Sequence, residues 1–211
     1  MKTLTVIALA FALGALTDAA LAWRLRLAGP PREDVPVVAP DADADAPAAA
    51  PTGTSGAALD GTAIATLERD RLAMPVEGVS RDQLHDTFTA ARGSDRAHEA
   101  IDIMAPRRTP VLAATDGTVA KLFTSKQGGL TIYEFDPSKT FCYYYAHLDA
   151  YAADLREGRT IRRGEVIGYV GSTGNASPEA PHLHFAIFRL TPEHQWWKGV
   201  AVNPYPILTR P

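Results

Sequence analysis

The apolar positions change rhythm four times along the chain, and each change predicts a different kind of structure. From Leu4 to Leu16 the residues are almost continuously apolar, with Lys2 ahead of the run and the small-residue sequence Ala20-Leu21-Ala22 behind it, the pattern of a secretory signal. As a membrane anchor the run reaches only to Leu21, and across Asp18, whereas a spanning helix takes about 20 apolar residues. Arg24 and Arg26 lie just beyond it and work against a simple orientation with the N-terminus inside. Residues 1–22 are therefore expected to be a signal peptide or a membrane anchor, and the chain to be exported to the periplasm or cell envelope, with attachment to the inner membrane open.

Bulky apolar residues then thin out. Prolines 30, 31, 36, 40, 47 and 51, five acids and many alanines leave too little apolar surface to offset the entropy of ordering, so residues 23–57 are expected to form a disordered linker. From Ala58 a helical spacing sets in. Asp60 is placed to cap a short helix carrying Ile64, Leu67 and Leu72 on one face, with Pro75 as its stop. Ser80 with Gln83 reads as a second capping signal, and Leu84 and Phe88 lie four apart on the side to be buried.

After Thr109 the period becomes two. Val111–Ala114 and Thr118–Phe123 flank Asp116-Gly117, a pair suited to a tight hairpin turn, and Leu130–Phe135 and Phe141–Leu148 follow as further strands. In EGRTIRRGEVIGYVGSTGNA, glycines 158, 164, 168, 171 and 174 punctuate short apolar pieces, implying sharp bends and close backbone approaches in a small antiparallel structure. The prediction is a mainly β domain over 58–211, with a core over 72–206 and short N-terminal helices.

Composition narrows the partners. A formal charge of -3 gives no reason to expect nucleic acid. The single cysteine, Cys142, excludes an internal disulfide, and its place inside Phe-Cys-Tyr-Tyr-Tyr predicts a buried, inert thiol rather than a nucleophile.

The candidate chemistry lies in His98 and Asp102 of HEAID, His147 of YAHL, and His182 and His184 of HLH. Two histidines and a carboxylate suffice to hold one zinc ion with a position left for water, and two further histidines remain for proton transfer. Strand parity puts His182 and His184 on one face, with Leu183 and Phe185 on the other, and groups Tyr143, Tyr145 and His147 together. Tyr145 and Asn175 are candidate groove residues, although Asn175 and Ser172 also suit turns, and Trp196 and Trp197 suit packing or a groove wall. His85 and His194 lack a motif. HEAID also mimics the helical zinc motif HExxH, with Asp102 in place of the second histidine and Glu99 as base, but Gly93 upstream and Pro106 four residues beyond Asp102 argue against a helix there. Glu99 is expected to face solvent or to support a ligand.

The run HEAIDIMAPRRTPVLAATDGTV, the YYYAHL strand, the glycine-punctuated segment and APHLHFAIF occur in the order found in lysostaphin-type (LytM-like) M23 zinc metallopeptidases, which this chain resembles over about residues 72–206. The resemblance implies an antiparallel sandwich or barrel-like fold of the duplicated hybrid motif type. It implies one Zn2+ held by His98, Asp102 and His184, and catalysis by His147 and His182, with their individual roles open. It also implies hydrolysis of peptide cross-links or stems of peptidoglycan. A non-hydrolytic member that binds peptidoglycan or regulates another hydrolase is the alternative, one that typically lacks the ligands retained here. Ala100, Arg107 and Arg108 depart from the family pattern at positions that often carry glycine.

Overall fold

In the computed structural model, residues 65, 67, 71–92 and 96–210 are described. The expected signal or anchor, the linker and nearly all of the helix after Asp60 lie outside them. Leu67 of that helix is buried. Among the described residues no helix is long and apolar enough to cross a membrane.

The strands are antiparallel and rich in aromatic and β-branched residues, as a pleated, half-buried surface favours. A two-stranded hairpin, β1 (Ala91–Arg92) and β2 (Arg96–Ala97), precedes the main sheet. That sheet has nine strands: β3 (Ile101–Met104), β4 (Pro110–Leu112), β5 (Gly117–Ser125), β6 (Gly129–Phe135), β7 (Phe141–Tyr151), β8 (Thr160–Ile161), β9 (Val166–Val170), β10 (His182–Leu190) and β11 (Gly199–Val202). Its spine runs β11-β10-β7-β6-β5-β8. β3 joins the free side of β10, and β9 joins the end of β7 and carries β4. The strands at the two ends of the spine do not pair, so the sheet stays open. A short helix, α1 (Tyr205–Thr209), follows β11.

Both faces of the central strands are covered, which explains the unbroken apolar run of β7. On one face Ile101, Ile103, Ile132, Tyr143, Tyr145, Leu148, Leu183, Phe185 and Ile187 form the main core under β4 and β9. On the other, Ala100, Tyr133, Cys142, Tyr144, Ala146, Ala186 and Phe188 form a second layer against Trp196. Full burial of each large side chain contributes roughly 1.5–3 kcal/mol. Cys142 sits in this second layer, and burial raises its thiol pKa well above the ordinary range, so it is no nucleophile at neutral pH.

Two local expectations fail for identifiable reasons. Asp116-Gly117 makes no hairpin, because β4 pairs with β9 whereas β5 pairs with β6 and β8. Gly117 is needed for space: a methyl there meets the Phe135 carbonyl, with Glu134 Oε1 only 2.9 Å away. The capping signal at Ser80 yields a single 3-10 turn, Arg81–Gln83, in which the Ser80 N–H donates to Gln83 Oε1 at 2.8 Å. Extension into a helix stops there because Leu84 turns into the core and Asp86 takes the Phe88 N–H at 3.1 Å, a local bond that competes with helix.

Candidate metal centre

Asp102 and His184 face each other in register on β3 and β10, so their side chains leave the sheet on the same side. His98 arrives from the segment between β2 and β3. Its N–H donates to the Ala90 carbonyl at 2.9 Å, and Glu99 bends the chain with φ 55° while its N–H donates to the Phe88 carbonyl at 2.9 Å. The stretch is therefore a tight bend and not the helix of HExxH; Glu99 is half-buried. The buried Ala100 packs in the second layer, on the same side of the sheet as Asp102 and His184, where the Tyr144 ring lies 5.9 Å from that of His184.

His98 Nε2 lies 2.9 Å from His184 Nδ1 and 3.1 Å from Asp102 Oδ1, and the latter two atoms are 3.2 Å apart. Donor atoms on a tetrahedral ion at bond lengths of about 2.0–2.1 Å sit roughly 3.3 Å from one another, so the triangle has the dimensions of a shared cation site. The tautomer agrees. His98 Nδ1–H donates to the Thr87 carbonyl at 3.0 Å, which leaves Nε2 with its lone pair towards the other two donors. Burial opposes ionisation of Asp102, but the imidazoles of His184 and His98 beside it outweigh burial and hold the carboxyl well below the usual carboxylate range. Two imidazoles and one permanent carboxylate form a donor set suited to a borderline divalent metal such as zinc. Thr87, unremarked in sequence, supports two of the three ligands, since its hydroxyl also accepts the Asp102 N–H at 3.2 Å.

His182 lies two residues before His184 on the same side, while Leu183 and Phe185 are fully buried in the main core. Its Nδ1–H donates to the Ala180 carbonyl at 2.8 Å. Its Nε2 is buried without a hydrogen-bond partner, 3.6 Å from Asp102 Oδ1. His147 reaches the same place by a different route. The register of β6 and β7 shifts between Leu130 and Ile132, so Ala146 and His147 together oppose Thr131. His147 sits at the bulge with φ 61°, its N–H donating to the Gly128 carbonyl at 2.7 Å and its Nδ1–H to the Thr173 carbonyl at 2.8 Å. Its ring centroid is 5.0 Å from that of His182 and 5.6 Å from that of His184. Burial, then the neighbouring His184, push its pKa down to about 4, so the ring is neutral at physiological pH.

The bulge corrects the expected parity. Tyr143 and Tyr145 do not share a face with His147; they are buried in the main core. The Tyr145 hydroxyl accepts the Ala114 N–H at 2.8 Å and donates to Glu134 Oε2, so Tyr145 is a core residue and lines no groove. Asn175 is exposed on the loop between β9 and β10, its N–H donating to the Gln127 carbonyl at 2.9 Å. In that loop Gly174 has φ 76°, and Gly171 lets the chain lie against the backbone of His147–Asp149. His85 is exposed, and His194 Nδ1 bonds the Lys139 carbonyl at 2.8 Å.

The sequence signature of Peptidase family M23 matches residues 96–204, more than half of the chain and all five of these histidine and aspartate positions. The chain belongs to peptidase family M23. It is 33% identical over 121 residues to the L-Ala--D-Glu endopeptidase of Bacillus subtilis, a match covering 55% of this chain and 36% of that one. To the peptidoglycan DD-endopeptidase ShyC of Vibrio cholerae it is 34% identical over 93 residues, covering 44% and 20%. The chain thus spans about a third or less of these curated relatives. Among solved structures, a lytM protein from Ruminococcus gnavus superposes with TM-score 0.52 at 30% identity, covering 66% of this chain and 58% of that one. M23 members are metallopeptidases, and His98, Asp102 and His184 are the group that could hold a metal ion among the described residues, their donor atoms all within 4.8 Å.

Proposed function

We propose that this chain is a zinc-dependent endopeptidase that hydrolyses peptide cross-links or stems of bacterial peptidoglycan. The observation that carries the proposal is the three-donor triangle of His98, Asp102 and His184 with two further imidazoles, His147 and His182, beside it. The names of the Bacillus and Vibrio relatives support the substrate class. An exported protein meets that substrate in the periplasm or cell envelope, which fits residues 1–22 as a signal peptide or anchor.

Bound by the triad, zinc supplies a Lewis acid that polarises a peptide carbonyl and lowers the pKa of water to about 7. The chain's own residues supply the rest. His147 and His182 each commit Nδ1–H to a backbone carbonyl, at 2.8 Å in both cases, so each offers Nε2 as the proton acceptor. One Nε2 would take the proton of the attacking water and return it to the leaving amine, and the imidazolium formed in between would help stabilise the oxyanion. Asp102 remains ionised and offsets part of the metal's charge. The carbonyls of Thr173 and Ala180 hold His147 and His182 in these tautomers, and that of Thr87 holds His98.

The test is incubation of the zinc-loaded full-length chain with purified peptidoglycan, with and without chelator, beside His182→Ala. Peptides released only without chelator, and not by the variant, identify the bond by mass spectrometry. Bound zinc without release sinks the enzymatic proposal and favours a binding or regulatory protein of the same fold.

A further inference from the structure

Beyond the histidines, the same side of the sheet carries a pair of cations that hydrolysis as described does not use. Met104 is paired in register with His182, so it leaves β3 on the side of His182; at 56% exposure it is the exposed large hydrophobic among the described residues. Three residues on, Arg107 donates from Nη1 to Asp149 Oδ1 and from Nη2 to Ser172 Oγ, both at 2.5 Å. Arg108 donates from Nε to Asp149 Oδ2 at 3.0 Å. Asp149 follows His147 by two residues with Leu148 buried in the core between them, so both leave β7 on the outer side. Ser172 follows Gly171, which bridges to His182. The cluster is thus built from β7, which also carries His147, and from two segments that pair with His182 of β10, roughly 7–10 Å further along the strands.

Two guanidinium groups share one carboxylate. Arg108 and then Arg107 hold Asp149 below the usual carboxylate range, so the cluster keeps one positive charge in excess at neutral pH. The Arg108 side chain is 74% exposed and engages Asp149 through Nε, which leaves its two terminal nitrogens for a ligand. Arg108 also holds φ 69°, in a turn anchored by its N–H to the Val170 carbonyl at 2.7 Å. Glycine adopts that conformation without strain, and an arginine kept there against the backbone's preference marks a side chain with a use.

The geometry points to a carboxylate subsite formed by Arg107 and Arg108 at the His182 end of the groove, beside Met104. It takes a peptide residue with an aliphatic stem and a free carboxylate, one or two positions from the bond that is cut. The inference rests on the peptidase reading for the identity of the groove and narrows its substrates to stem peptides bearing carboxylates, over uncharged bridges. A planar fork recognises a carboxylate through two parallel N–H donors, which a carboxamide cannot match.

The test uses two soluble stem peptides that differ only in one carboxylate or its carboxamide. Their binding to the zinc-loaded full-length chain is measured calorimetrically in the His182→Ala background, where the peptide is not consumed. The carboxylate peptide is expected to bind about tenfold tighter. Arg108→Gln should bring that ratio close to one, and Arg108→Lys should restore part of it. Arg108→Gly relaxes the turn, so lost discrimination with an unchanged or raised Tm excludes misfolding as its cause. Equal affinity for the two peptides, binding of neither, or discrimination that survives an Arg107→Gln/Arg108→Gln double variant overturns the subsite. Hydrolysis by the chain with His182 intact is scored separately. Discrimination without chelator-sensitive cleavage keeps the subsite and sinks the peptidase, whereas cleavage of both peptides at equal kcat/KM sinks the subsite and keeps the peptidase.

Discussion

Glu134→Gln tests the polar packing inside the main core. Glu134 lies on β6 with no exposed surface, and the hydroxyl of Tyr145 donates to its Oε2. Burial pushes its carboxyl up to about 8, against the Tyr145 hydroxyl and the nearby amides of Ala114 and Thr115, which favour the ionised form. Between the ordinary value of 4.5 and about 8, the folded chain keeps a proton that the unfolded chain has released. Stability from this group is therefore complete below the ordinary value, falls as pH rises through the window, and is lost above about 8. The slope approaches about 1.4 kcal/mol per pH unit, and relaxation of the site leaves an expected total loss of about 2–5 kcal/mol. Glutamine keeps the shape and an acceptor for Tyr145 but cannot ionise. Urea unfolding of both proteins, in the same metal buffer and at steps from about pH 5 to about pH 9, isolates the group as the difference between them. The variant should gain on the wild type steadily as pH rises. A difference that stays flat across the window refutes the reasoning.

Other consequences concern the site itself. Thr87→Val removes the hydroxyl that accepts the Asp102 N–H and should weaken zinc binding about tenfold in a chelator competition; unchanged affinity removes Thr87 from the support of the metal. His147→Ala should lower kcat by roughly 10²–10⁴ while the metal content stays at one ion per chain, and a parallel loss of metal would make His147 a ligand instead. Gly174→Ala and Gly158→Ala both place a side chain at positive φ, but a methyl at Gly174 meets the backbone of Gln127–Gly129 whereas nothing lies within 4 Å of one at Gly158. Thermal unfolding should show a loss of about 1 kcal/mol for Gly158→Ala and clearly more for Gly174→Ala; equal losses would remove the close approach as a constraint.

Much of the site was legible because it follows strand parity. HLHFAIF alternates polar and apolar residues, and β10 accordingly sends His182 and His184 out while Leu183 and Phe185 enter the core. The grouping of motifs in one order carried the family, and five residues of the candidate site were named from it. Thr87 left no signal, because it acts on His98 through a backbone carbonyl that any residue possesses. The hairpin expected at Asp116-Gly117 failed because turn chemistry is local, whereas the partner of a strand depends on which neighbours complete its hydrogen bonds; β5 finds them in β6 and β8.

The amino-acid sequence by itself determined the β character, the candidate ligand types and the face on which the HLH histidines lie, since side-chain direction along a regular strand depends only on counting. The tertiary structure alone decided where His147 and Tyr145 point. Counting by twos puts them together, but one extra residue in β7 sends His147 to the metal side and leaves Tyr145 in the core. That extra residue is held by the carbonyls of Gly128 and Thr173 and by the close approach of Gly171, groups distant in sequence whose effect exists only once the chain has brought them together.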